Sequence, residues 1–471
     1  MRKVFILFLT FFFMFVFYAC GSNVKTDSEN TNDEQKLKSN LQENSIKDGR
    51  QKIGNLQFIC NSEGDSACNT ENGYYYLTQD SIKLQDGNYG SHLMYMDFAT
   101  CREIYLCSTA GCKHDSLDCP AVFLYDDFPT FTTKLFVYDN DLYILSRESS
   151  SESMSSSDGI PQNMMGGDDA DITPERKPVV LYRANLDGTQ RKKVYTFDEG
   201  LTVEEFVLKD ENGIYVTTKK LSVDKVDNIT YTTASEHKVV FLDLKSFHAQ
   251  EVCPIRFDNN ISWNVIGCYQ DCLILNGIDY GRELSLEEKW DDDSWRPLYE
   301  NSFDVYVLLD LKSGELNEFY RESNKNQHAV YMVGDTMYIS FSENPIIEGI
   351  NIESGERKTI CTLAQNLIMG VIDDMLCCRD WNLSSDHTYY FVNMKTGEIM
   401  HSMLVNQYNG WDLEFRAETS SDMLVVYDYD ATKNSDDSYE IHQYKYALIA
   451  KEDLFMGKQN YRKINMIGKG Q

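Results

Sequence analysis

The stretch Leu181–Phe197, LYRANLDGTQRKKVYTF, is an apolar strand, a tight Asn-Leu-Asp-Gly turn and a second strand. Close relatives follow along the chain: VFLDLKSFHAQEV from Val240, VYVLLDLKSGELNEF from Val305, IIEGINIESGERKTI from Ile346 and YYFVNMKTGEIM from Tyr389. A looser copy, LMYMDFATCREIYL, starts at Leu93. A hairpin repeated this often is an architectural unit, and its spacing decides the fold.

Each recurring hairpin is preceded by another, built as apolar strand, polar turn and apolar strand. Examples are LFVYDNDLYIL from Leu135, FVLKDENGIYV from Phe206, VIGCYQDCLIL from Val265, VYMVGDTMYIS from Val330, LIMGVIDDMLCC from Leu367 and AETSSDMLVVYDY from Ala417. At the front, NLQFIC from Asn55 and YYYL after the Asn72-Gly73 turn make a seventh. Apolar residues recur at period two, as in Phe136, Tyr138, Leu142 and Ile144, which is the signature of strands. The turn anchors Asp310, Asn351 and Asn393 fall 41 and 42 residues apart. Four strands in a period in the forties make a propeller blade. The chain therefore reads as all-β, a seven-bladed β-propeller of four-stranded antiparallel blades over residues 55–471. The LYRANLDGT hairpin resembles the TolB-like and low-density-lipoprotein-receptor-like propellers of bacterial secreted proteins, a resemblance that implies this fold and carries no catalytic residues.

In a meandering blade with strands A to D, A-to-B and C-to-D turns share one face, and B-to-C loops and the crossings between blades share the other. The insertions all fall between B and C, at about 79–90, 147–178, 219–237, 277–302 and 429–438, and the cysteine-rich crossing from Cys107 to Thr133 joins them. Loops on a rigid scaffold are where binding is placed, so this face is the expected binding surface. In the insertion 277–302, Trp290 and Trp295 surround Asp291, Asp292 and Asp293, a set suited to a sugar ring or a cationic peptide. The insertion 147–178 is Ser-, Gly- and Asp-rich and reads as disordered.

The N-terminus, MRKVFILFLTFFFMFVFYACGSN, has a basic head, an apolar run from Val4 to Phe17 and a small residue before Cys20. It resembles the lipobox of bacterial lipoproteins, which implies a signal peptide over residues 1–19, diacylglycerol on Cys20 and an extracytoplasmic protein anchored to the cell membrane, of a Gram-positive bacterium. Two acyl chains hold stably where one binds marginally. Residues 20–54 carry almost no large apolar side chains and read as a tether with a reach of roughly 30 Å. The net charge of −30 disfavours nucleic acid as a partner.

The densest chemical cluster is Cys107, Cys112, His114 and Cys119, three thiols and an imidazole within 13 residues, suited either to a structural Cys₃His zinc site or to a disulfide clamp. Lipoproteins with such a C-x₄-C-x-H-x₄-C element after the first blade are similar to those of anaerobic Gram-positive gut bacteria, where reducing conditions would favour metal. Cys101, six residues earlier, is too far along its strand to join. Cys60 with Cys68, and Cys268 with Cys272, flank turns in this reading and are further candidates for cross-links; Cys377 and Cys378 point to opposite faces of a strand. The sequence has no G-x-S-x-G elbow, H-E-x-x-H helix, P-loop or G-x-G-x-x-G, and the stretch from Asp428 lacks the glycine and glutamate of an EF-hand. Function therefore reads first as a membrane-tethered binding module for carbohydrate, peptide or an envelope protein. The alternatives are a hydrolase or lyase with carboxylates at the channel mouth, and a structural envelope scaffold.

Overall fold

The computed structural model describes residues 55–470 apart from 61–65, 79–81, 126, 129–132, 147–176, 227–228, 257–260, 286–287, 289–291, 365, 382–386, 434–438 and 469. Seven antiparallel blades form a β-propeller: blade 1 over 67–105, blade 2 over 134–196, blade 3 over 201–254, blade 4 over 264–323, blade 5 over 328–362, blade 6 over 366–402 and blade 7 over 414–463. The hairpin quoted first supplies strands C (Val180–Asn185) and D (Lys192–Thr196) of blade 2, beside A (Lys134–Tyr138) and B (Asp141–Ser146). Strands A of neighbouring blades touch one another, as Ala67–Asn69 of blade 1 touches Lys134–Tyr138, and so line the axis. The apolar faces pack blade on blade: Tyr215 and Phe241 of blade 3 bury against Leu275 and Val305 of blade 4.

The repeated turn has a simple physical basis. The anchor carboxylate or amide oxygen accepts the backbone N–H groups two and three residues on, closing an Asx turn. Asp310 Oδ1 accepts from Lys312 and Ser313 at 2.8 and 2.7 Å, and Asn393 Oδ1 accepts from Lys395 and Thr396 at 3.0 and 2.9 Å. A residue four positions after the anchor then takes a left-handed backbone, Gly314 at φ +73° and Gly397 at φ +73°. At Gly397 a side chain would also run into the Ile360 carbonyl, so only glycine fits.

The first strand departs from the sequence reading. Gln57–Cys60 is not strand A of blade 1; that role belongs to Ala67–Asn69. Instead it pairs antiparallel with the inner edge of blade 3 strand A, Leu201–Lys209, with Gln57 opposite Lys209 and Cys60 opposite Val207. It also touches the inner strands of blades 2 and 4, so it runs within the channel. Leu56 and Phe58 are buried there, Phe58 edge-on to Phe206 at 5.4 Å. The segment is a strand, as its alternation implies, but a four-residue strand carries no record of which edge it joins. Cys60 and Cys68 consequently lie on different sheets rather than across a turn.

At the other terminus the tail joins blade 7 to blade 1. Asn465 forms a parallel bridge with Arg102, and the buried Glu103 carboxylate accepts the N–H groups of Ile467 and Gly468 at 2.6 and 2.7 Å. Two segments read as insertions are strand extensions: blade 3 continues as one hairpin through Gly213–Val226 and Ile229–Asp243, and blade 7 through Asp422–Lys433 and Tyr439–Ala450. The segment 277–302 holds the helix Asp292–Glu300.

Candidate binding pocket and metal centre

The crossing from blade 1 to blade 2 leaves strand D (Arg102–Tyr105) and folds back under blade 1. Its return strand, Val122–Leu124, pairs with the first residues of strand C, His92 opposite Val122 and Gly90 opposite Leu124. Between them lie a turn closed by Cys112 N–H on the Thr109 carbonyl at 3.2 Å, Gly111 at φ +74°, and His114 at φ +55°. The result brings Cys107, Cys112, His114 and Cys119 together, with one donor atom from each within 4.8 Å of all the others. Cys101, on the preceding C-to-D turn, is not in the group.

The surroundings suit a metal. The His114 ring lies on Tyr105, 4.2 Å between centroids, and His92 Nε2 meets the His114 carbonyl at 2.8 Å. His114 Nδ1 faces Cys119 Sγ at 3.3 Å. Burial, with His92 nearby, lowers the His114 pKa, which favours the neutral imidazole that ligates metals. Burial pushes the Cys119 thiol up to about 12, while at Cys107 hydrogen bonds from Thr109 and the two other thiols outweigh burial and lower it. Three thiols cannot pair off in disulfides without leaving one over, whereas a tetrahedral ion uses all four donors. The cluster can hold a metal.

A second feature opens on the same face between blades 4 and 5, a cavity of about 430 Å³. It is bounded by the crossing at Asn326, the B-to-C loop at Ser342–Asn344, and the outer strands bearing Glu322, Glu348 and Arg357, with Phe341 as its apolar wall. Arg357 sits 5.2 Å over the Tyr320 ring and 3.8 Å from Glu348, and the Tyr320 hydroxyl donates to Glu322 at 2.6 Å. Glu322 also accepts from the Asn326 amide at 3.0 Å. Burial opposes ionisation of Glu322, but these hydrogen bonds hold its pKa below the ordinary carboxyl value. Behind this wall His328 is buried, its Nδ1 on the Asn326 carbonyl at 2.8 Å and its Nε2 near Asp304 at 3.2 Å. Burial works against the charged ring, yet Asp304 and the Asn326 carbonyl raise its pKa.

Of the other residues singled out from sequence, Trp290 and Asp291 lie outside the described residues, as do Cys20, the leader, the tether and 147–176. Asp292, Asp293 and Trp295 belong to the helix Asp292–Glu300. Cys268 and Cys272 fall on opposite faces of their hairpin, since Cys268 sits opposite Leu273 and Cys272 opposite Tyr269, so they are not placed to cross-link. Cys268 instead donates to the Leu56 carbonyl at 3.4 Å. Cys377 and Cys378 bury on opposite faces in different cores. Sequence reading missed the cavity residues altogether, because Glu322, Phe341, Glu348 and Arg357 are ordinary strand-end residues that become neighbours only when two blades dock.

No protein-family model matches the chain, and no curated protein matches its sequence. Among solved structures it is similar to puromycin hydrolase, at 8% identity and a TM-score of 0.44, over 86% of this chain and 54% of that one. It is similar to the acylaminoacyl peptidase of Pyrococcus horikoshii at 12% identity and a TM-score of 0.39, covering 71% of this chain and 46% of the peptidase. TolB from Acinetobacter baumannii matches at 11% identity and a TM-score of 0.32, over 81% of this chain and 77% of TolB. The β-propeller fold rests on the seven blades themselves.

Proposed function

We propose that this chain is a lipid-anchored, extracytoplasmic propeller that binds a polar, amine-bearing ligand, an amino sugar or a basic peptide, on its insertion-bearing face. The cavity between blades 4 and 5 carries this reading. Its volume falls within the range of small-molecule sites, one wall is aromatic, and Glu322, Glu343 and Glu348 face a single exposed arginine. That surplus of carboxylates selects for positive charge. The N-terminal strand supports binding over channel-mouth chemistry, because Leu56 and Phe58 occupy the inner edge of blade 3.

In this reading Cys107, Cys112, His114 and Cys119 hold a structural zinc with four protein donors, which pins the crossing beneath blade 1. The ion supplies folding energy rather than reactivity, since a closed site leaves no position for substrate. The test is thermal stabilisation by chitosan oligosaccharides and by short oligolysine peptides, for the wild type and for Glu343→Gln/Glu348→Gln. Stabilisation by one probe that disappears in the double variant supports the reading. No response to either probe, or an equal response in the variant, overturns it. Cys20→Ala should release the protein from the membrane fraction.

A further inference from the structure

The N-terminal strand enters the propeller from the face opposite the cavity. Gln57 lies opposite Lys209, beside the short A-to-B turn of blade 3, and Cys60 lies opposite Val207, two residues nearer the insertions. Just before it, the Leu56 N–H donates 3.0 Å to the carbonyl of Gln270, in the A-to-B turn of blade 4. Asn55 is exposed, while Leu56 and Phe58 are buried. The chain upstream of Asn55 is therefore joined at the centre of the short-turn face.

We propose that the axial strand fixes how the propeller is presented: the short-turn face is turned to the bilayer, and the face bearing the cavity, the cysteine-held crossing and the extended hairpins of blades 3 and 7 is displayed outward, toward soluble or wall-bound partners. This rests on the lipid-anchored reading above. Distances favour it. Some 35 residues from Cys20 to Asn55 have a typical reach of roughly 30 Å if flexible. To turn the insertion face toward the lipid, the tether would first cross a blade, about 20 Å for four strands at 4.7–4.9 Å spacing. It would then run down the side, about 20 Å for a six-residue strand. That path of roughly 40 Å exceeds the typical reach before any length is left for the bilayer. The displayed orientation needs no detour.

Electrostatics sets the standoff rather than the orientation. The short-turn face carries exposed carboxylates at Asp139, Glu211, Asp335 and Glu353. Like charge on anionic headgroups keeps that face from lying flat on the lipid, over a range of about 8–10 Å at physiological salt. The propeller stands off on its tether instead of adsorbing. Its outer face stays free for partners even while the anchor is engaged.

The test uses the mature chain from residue 21 with a lipid ligated enzymatically to its N-terminus, bound to vesicles containing an energy-acceptor headgroup lipid. A fluorescent amino acid replaces Ser354, on the short-turn face, or Asn344, at the cavity lip. Transfer from position 354 should exceed transfer from position 344 at least twofold, and lengthening the tether with about 70 Gly/Ser residues should shrink the difference. Equal transfer, or stronger transfer from position 344, overturns the orientation. Because the lipid is supplied chemically, this outcome is separate from native anchoring, which the Cys20→Ala fractionation tests by itself.

Discussion

Both terminal nitrogens of Arg191, on the C-to-D turn of blade 2, donate to the carbonyl of Val122 at 3.1 Å, three residues beyond the last cysteine of the cluster. One also reaches the Pro120 carbonyl at 3.2 Å, and the guanidinium lies 3.9 Å from the Phe123 ring centroid. Among the described residues this half-buried cation donates only to carbonyl oxygens, yet it interacts electrostatically with Cys119. A zinc ion held by three thiolates and a neutral imidazole would carry one negative charge, which Arg191 would balance. The purified protein should contain one zinc per chain. Arg191→Gln should lose it to a competing chelator roughly ten times more readily, in line with the effect of outer-shell partners. Arg191→Lys should fall between, because it keeps the charge and loses the fork. Metal quantification and chelator titration check both, and free thiols in the metal-loaded protein would exclude the disulfide reading.

Blade 3 holds a buried ionic group whose pH dependence can be read. Glu204 meets His237 Nε2 at 2.6 Å and also pairs with Lys219. Burial raises its pKa, but the hydrogen bond from His237 and the charge of Lys219 outweigh it and lower the value to about 2. The folded pKa lies below the unfolded one, so the stabilisation is complete above about pH 4.3 and is lost as pH falls toward 2. Denaturant melts of wild type and Glu204→Gln should differ by about 2 kcal/mol at pH 6 and converge near pH 2.

The repeated turns separate backbone strain from steric collision. Gly355 and Gly397 have the same role at φ +69° and +73°, but a Cβ on Gly355 meets nothing within 4 Å while one on Gly397 meets the Ile360 carbonyl. Gly355→Ala should therefore cost about 1 kcal/mol, the left-handed penalty alone. Gly397→Ala should cost at least about twice that, as blades 5 and 6 are pushed apart. Thermal or denaturant unfolding of the two variants makes the comparison directly.

The axial strand should contribute to global stability. Phe58 is 7% exposed and packs on Phe206, so Phe58→Ala should cost about 3 kcal/mol. A loss below about 1 kcal/mol in urea unfolding would mean that the strand is only loosely seated.

Much of the blade plan was legible because local rules set it. The Asx anchors at Asp310, Asn351 and Asn393 and their left-handed glycines mark the C-to-D turns of blades 4, 5 and 6, and period-two alternation marks the strands on either side. The cysteine cluster was legible as a group because its four residues are close in sequence. The cavity was not, since Glu322 and Arg357 belong to different blades and nothing local records how blades dock. The extended hairpins of blades 3 and 7 were read as loops because their composition is largely polar, as in KKLSVDKVDNITYTT from Lys219.

By itself, then, the amino-acid sequence determined the element type, the blade count and the side on which the insertions fall, all consequences of turn chemistry and pleat. Tertiary structure alone decided that Gln57–Cys60 joins blade 3 within the channel, that the tail after Arg462–Lys463 reaches Glu103, and that Arg191 of blade 2 supports the cluster under blade 1. The physical reason is common to all three. Edge pairing and blade docking depend on which unsatisfied edge or apolar face is free when the ring closes, a property of the whole molecule rather than of any stretch of chain.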